Sequence, residues 1–145
     1  MKINKERLLI LANTIERSHK FQFDMGLFRD IDVMKQKKTH ACGTVACALG
    51  HGPLNKELAP TEACFFFASY DGKTYLDWDT YAEKVFGVRY TSPAWQWMFS
   101  GRWSASDNTR KGAAARIQHY VKKGLPANWY AQMHGRAKLS YQVSP

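Results

Sequence analysis

TRKGAAARIQHYVKKGLP, residues 109–126, contains a start, an apolar face and a stop within one stretch. Thr109 supplies the hydroxyl favoured at a helix N-cap. Gly124 followed by Pro126 terminates, because glycine accepts the left-handed conformation and proline cannot continue the hydrogen-bond ladder. Between them Ala113, Ala114, Ile117, Tyr120 and Val121 recur at helical spacing. The segment predicts a helix from Thr109 to about Lys123 whose alanines mark close approach to another helix. Arg116 and Lys123, seven apart, are assigned to a different face.

The same punctuation repeats outward from this helix. Pro126 opens a last short helix to about Met133, and Ser92-Pro93 is the cap and first-turn pair of a helix that Gly101 ends. Asp77 or Asp79 caps a helix to about Phe86, with Gly87 at the left-handed position beyond it. Near the N-terminus Leu8, Leu11, Ala12 and Ile15 follow the i, i+3, i+4, i+7 pattern behind Asn4, which predicts an amphipathic helix over residues 5–17. Phe21, Phe23, Met25, Leu27 and Phe28 form an apolar cluster, and Lys35 to Thr39 reads as a solvated loop. Thr44 to Leu49, between Gly43 and the group Gly50, Gly52 and Pro53, reads as a short buried helix. Cys64 to Tyr70 and Lys73 to Leu76 flank Asp71-Gly72 as strands flank a hairpin turn, although 61–69 also fits a helix. The expectation is a mainly α, compact single domain over residues 1–145. It has five or six short helices and one small β-hairpin near Asp71-Gly72, and Ser140 to Pro145 is expected to fray.

A chain of 145 residues with 45% hydrophobic and 23% charged residues has the size and composition of one globular core. Leu8 to Ala12 is only five consecutive apolar residues. A signal peptide needs about 7–15 and a membrane span about 18, so the chain is expected in the cytoplasm, that of the host cell if it is phage-encoded. Cys42, Cys47 and Cys64 are an odd number, and no structural disulfide is expected.

Charge is distributed one-sidedly. From Gly87 to Pro145 there are nine Lys or Arg residues and one carboxylate, Asp107, for a net +8; residues 1–72 have ten basic and eight acidic groups, for +2. The basic stretch also holds Trp95, Trp97, Trp103 and Trp129. Positive charge mixed with flat apolar rings is the composition of nucleic-acid grooves and of protein interfaces. Arg102, Trp103, Arg110, Lys111, Arg116, Lys122, Lys123 and Trp97 are therefore the candidate binding residues. Of Trp95, Trp97, Phe99 and Trp103 most are expected in the core, but Trp95 and Phe99 share a helix face and Trp97 points elsewhere, so at least one of the four rings is expected near the surface. The cap cluster at 106–109, followed by Arg110 and Lys111, also has the makings of an anion site at a helix start, with Asp107 opposing it.

The densest chemistry lies in CGTVACALGH, residues 42–51. Cys42, Cys47 and His51, with His40 or Cys64, offer zinc-ligand types, but not in the usual paired spacing. Cys42 before a helix start would have an eased deprotonation and could act as a nucleophile, with Cys47 and His51 nearby and His119 or His134 as candidate base. Small buried thiols packed between glycines are the simpler account. Asp77, Asp79 and Glu83 are explained by capping more economically than by a divalent cation, and Asp30 and Asp32 by a solvated turn. No cofactor and no metal are expected.

Cys42-Gly43-Thr44 with Cys47 and Gly50-His51, Asp107-Asn108-Thr109 with Ala113-Ala114-Ala115-Arg116-Ile117, and Gly124-Leu125-Pro126 together resemble a loosely defined group of small phage and bacterial proteins. A Phe-Asp-Met segment, here Phe23-Asp24-Met25, precedes the cysteines in that group. The resemblance runs from about residue 23 to 126 and transfers no catalytic residue. What it implies is context, since small phage accessory proteins act by binding and disabling a host component or a defence complex. The expected function is a non-enzymatic binder whose basic, aromatic C-terminal surface docks on an acidic macromolecule, most simply a host protein or a protein–nucleic-acid complex, with no membrane. Direct nucleic-acid binding, and a cysteine-dependent hydrolase or transferase, are the alternatives.

Overall fold

The structure, a computed structural model, describes residues 2–17, 48–61, 64, 66–68, 74–104 and 106–143. The chain is mainly helical: α1 (Lys5–Arg17), α2 (Trp78–Tyr81) running into a π-helical turn (Ala82–Phe86), α3 (Pro93–Phe99), α4 (Arg110–Lys123) and α5 (Trp129–Met133). Two 3-10 turns (Leu49–Leu54 and Lys56–Leu58) and an antiparallel pair, β1 (Phe66–Ala68) and β2 (Thr74–Leu76), lie between α1 and α2.

The capping signals act as their chemistry predicts. Asn4 Oδ1 accepts from the Arg7 backbone N–H at 3.0 Å, Ser92 Oγ from that of Trp95 at 3.2 Å and Thr109 Oγ1 from that of Gly112 at 3.0 Å. Asp77 holds Thr80 through both carboxylate oxygens. Gly87 is indispensable on two counts. Its φ is +71°, and a Cβ there would stand 2.1 Å from the Lys2 carbonyl oxygen. That approach lets Asn4 donate its N–H to Phe86 O at 2.8 Å and Arg7 Nη1 donate to Val85 O at 3.1 Å, locking the start of α1 to the end of the π turn.

Leu8, Leu11, Ala12 and Ile15 of α1 are fully buried and face α4, whose Ala113, Ala114 and Ile117 are fully buried in turn. Small side chains on one helix and branched ones on the other let the two axes approach closely. α3 packs on α4 beside this pair.

Several boundaries differ from the sequence reading. α3 stops at Phe99 with Ser100 as its C-cap, one residue before Gly101. The last helix begins at Trp129 and not at Pro126. The glycines and proline at 50–53 lie inside a 3-10 helix, where they had been read as terminators of a helix over 44–49. A two-residue turn at Asp71-Gly72 would set Ala68 opposite Tyr75, but Ala68 pairs with Thr74, a shift of one residue. The connection itself, the segments at 21–28 and 35–39, and Cys42, Cys47, His40, Asp30 and Asp32 lie outside the described residues.

Candidate anion-binding face and groove

The C-terminal half separates what its composition mixes. Tyr90 and Tyr130 are exposed, but three tryptophan rings are inside, Trp97 being fully buried, Trp103 4% exposed and Trp95 9% exposed. Arg116 is fully buried as well. These placements correct the assignment of Trp97, Trp103 and Arg116 to a binding surface, and with Phe99 buried too they correct the expectation that at least one ring among Trp95, Trp97, Phe99 and Trp103 lies near the surface. The reason is that α3 has two buried faces. Trp95 and Phe99 turn toward Phe86, and Trp97 turns toward α4 and the C-terminal segment.

Around Arg116 the interior is built from aromatic rings. The guanidinium carbon lies 4.3 Å from the centroid of Trp103 and 5.6 Å from that of Tyr141, within cation–π range. Arg116 Nη1 donates to the Asp107 carbonyl oxygen at 2.8 Å and to Tyr141 Oη at 3.0 Å. Trp97 Nε1 donates to the Arg116 carbonyl at 3.0 Å, and Trp103 Nε1 to the Trp97 carbonyl at 3.2 Å. Gly112, one turn before Arg116, makes this possible: a Cβ there would sit 2.3 Å from Asp107 O and 3.2 Å from Arg116 Nη1. The same contacts hold the C-terminal segment, so Tyr141 is 6% exposed where fraying had been expected. Burial pulls the Arg116 guanidinium below its ordinary value, with Tyr141 and Asp107 acting against it. It stays protonated at neutral pH.

The other cations face outward. Arg102, Lys111, Lys122 and Lys123 are exposed, as are Arg89, Arg136 and Lys138. Lys111 stands in the first turn of α4, where no acidic residue accompanies it and the helix dipole disfavours a cation. Helix stability therefore gives no reason for its charge. Arg110 has a structural task, since its Nη1 donates to the Glu16 carbonyl in the last turn of α1 at 3.3 Å. At the helix start that offers an anion site, one of the free N–H groups is already capped by the protein. Thr109 takes the Gly112 N–H, and the Asp107 carboxylate accepts from Ser104 Oγ at 2.7 Å.

At the other end of α4 the surface is concave. A groove of about 380 Å³ runs between the C-terminal half of α4 and the irregular tail at 140–142, lined by His119, Lys122, Lys123, Ser140, Tyr141 and Gln142, with Ala115 and Gln118 completing it. Among the described residues no carboxylate side chain lines it. The His119 imidazole is held below its ordinary value, chiefly by partial burial and then by Lys123, with the Gly124 backbone acting in the opposite sense. Composition points to Lys122 and Lys123, but the tail wall is invisible to helical periodicity. The aromatic Tyr141 near the chain end was the available signal.

The remaining sequence candidates are placed as follows. His51 is fully buried in its 3-10 turn and Cys64 is a buried free thiol. Asp77 is engaged in capping, and the exposed Asp79 carboxyl is raised by desolvation, then by Asp77 and Glu83. Among the described residues no group of three or more His, Cys, Asp or Glu converges as metal ligands would, and no helix is long and apolar enough to cross a membrane. No protein-family model, curated protein or solved structure matches this chain.

Proposed function

We propose that this chain is a non-enzymatic binding protein that docks the basic face around α4 on an acidic surface of a partner protein. The carrying observation is the separation of charge from rings. Arg102, Lys111, Lys122 and Lys123 project into solvent, while Trp97 and Trp103 are committed to the core. A face that binds single-stranded nucleic acid presents aromatic platforms for bases. Here Trp95, Trp97 and Trp103 are internal and, among the described aromatic residues, only the tyrosines Tyr90 and Tyr130 are exposed, which favours an acidic protein surface, where cations provide steering and register. The exposed Tyr130, 52% accessible, is an aromatic side chain available to anchor such a contact. The resemblance to small phage proteins supports a partner that is a host component or a defence complex.

The test is affinity purification of the tagged chain from host lysate with and without nuclease, beside a variant with Arg102, Lys111, Lys122 and Lys123 all changed to Glu. The expected result is a stoichiometric protein that survives nuclease and is lost in the variant, whose thermal midpoint stays close to wild type. Partners that vanish with nuclease, together with affinity that falls steeply with salt, would move the face to nucleic-acid binding. Unchanged capture by the variant would overturn the reading.

A further inference from the structure

We propose that the groove between α4 and the Ser140–Gln142 tail is a binding site for a small phosphate monoester, a role that goes beyond macromolecular docking and does not depend on it. Three features of the groove converge on that chemistry. First, its lining holds two ammonium groups, Lys122 and Lys123, and an imidazole, His119, with no carboxylate side chain among the described lining residues. Lysine binds phosphate as a point charge, whereas bidentate carboxylate recognition favours an arginine fork, which this lining lacks. Two ammonium groups also match the double charge of a monoester. The negative end of the α4 dipole offsets only about half a unit charge there.

Second, the wall is backed by a buried positive charge. Tyr141 lines the groove on one side and accepts from Arg116 Nη1 on the other. Because its oxygen is the acceptor in that bond, its own O–H remains a donor. Among the described residues the buried Arg116 Nε and Nη2 groups meet no hydrogen-bond acceptor, and no carboxylate bonds the guanidinium directly, although the nearby Asp107 carboxylate offsets part of its charge. In a low-dielectric interior the potential that remains extends further than that of a solvated charge would.

Third, the size exceeds that needed for a bare anion. About 380 Å³ lies in the range of small-ligand pockets, which leaves room for an organic body along Ala115 and the Tyr141 edge. Two of the polar groups are already used: Gln118 Nε2 donates to Glu16 Oε1 at 3.3 Å, and Ser140 donates to Gln132 Oε1 through both N–H and Oγ. They form fixed walls, and Gln142 is the neutral side chain left to complete the phosphate shell.

The ligand's charge is read at His119. The groups around it are Lys122 and Lys123 on its own helix and Tyr141 on the tail, with Glu16 of α1 beyond Gln118. Lys123 and burial oppose its protonation, and a dianion seated between the lysines reverses that, so binding raises the His119 pKa. The experiment is an NMR titration of the full chain with inorganic phosphate and, separately, phenyl phosphate, against sodium chloride at matched ionic strength. The expected result is saturable shifts at His119, Lys123 and Gln142 with both phosphates, tighter for phenyl phosphate, and a His119 titration moved to higher pH. Lys122→Gln with Lys123→Gln weakens both at least tenfold while the thermal midpoint holds. Shifts reproduced by chloride, shifts that persist in the double variant, or phenyl phosphate weaker than inorganic phosphate would each overturn the assignment.

Discussion

The two faces of α3 support two interiors of opposite character. On one side Trp95, Phe99, Phe86, Tyr81 and Trp78 form a chain of rings, with centroids 5.5–6.2 Å apart and mostly edge to face. Its polar end is tied off by the Tyr81 hydroxyl donating to the Leu58 carbonyl. On the other side Trp97, Trp103 and Tyr141 stand 5.3–6.0 Å apart around a cation, Arg116. The first is an ordinary apolar core, stabilised by area removed from water and by ring geometry. The second holds a charge that burial opposes, and its geometry serves to close the loop at Asp107 and the tail at Tyr141 over α4. Basic and aromatic composition in one stretch is therefore not one surface. Trp95, Trp97, Trp103 and Arg116 belong to the scaffold, while Arg102, Lys111, Lys122 and Lys123 face solvent.

The contrast is sharpest in truncations. Phe86→Ala removes a fully buried ring from the apolar side and is expected to cost about 3–5 kcal/mol in urea unfolding. Arg116→Met keeps length and rings while removing a charge whose Nε and Nη2 are unpaired. It leaves the Asp107 carbonyl and Tyr141 hydroxyl without a donor, so about 1–2 kcal/mol is expected. A loss at Arg116 equal to that at Phe86 would show that the cation side is as tightly determined as the apolar one.

Gly112→Ala strikes only the cation side, because the new methyl meets the Asp107 carbonyl oxygen, a backbone atom that has little freedom to withdraw. About 1–3 kcal/mol is expected, together with increased hydrogen exchange in 104–109 and at Tyr141 but not at Phe86. Protection lost equally on both sides of α3 would erase the distinction between them.

The smallest effect is one of pH. His119 lies 5.7 Å from Trp97, and its folded pKa is held below the ordinary 6.5 by burial and Lys123. The native state therefore binds the proton less readily than the unfolded chain. The contribution is complete above about pH 6.5 and is lost as pH falls through the folded value. The thermal midpoint of the wild type should fall more between pH 7.5 and pH 5 than that of His119→Gln, and identical slopes would remove His119 from the account.

What was legible in the sequence was local. Asn4, Asp77, Ser92 and Thr109 each cap the helix that follows, because capping needs only a side-chain oxygen within three residues of a free N–H. The apolar face of α1 and the small-residue face of α4 could be read from spacing, since 3.6 residues per turn places them without reference to the rest of the chain. Gly87 was legible as a left-handed residue, but its closeness to Lys2 was not, because that contact spans the whole length between the chain start and α2.

Charge and aromaticity of the C-terminal half were likewise set by the sequence alone, as were the helices and the excess of cations. Which of those side chains face water was decided only by the tertiary structure. Arg116 and Lys123 lie seven apart on one face of α4, distinct from its apolar stripe, yet one is buried and the other exposed. The outcome depends on the Asp107 backbone and the Tyr141 side chain, which meet Arg116, and on the missing side chain of Gly112 that gives it space. Periodicity reports the faces of a helix; the coverings of those faces come from residues distant in sequence, and only packing brings them there.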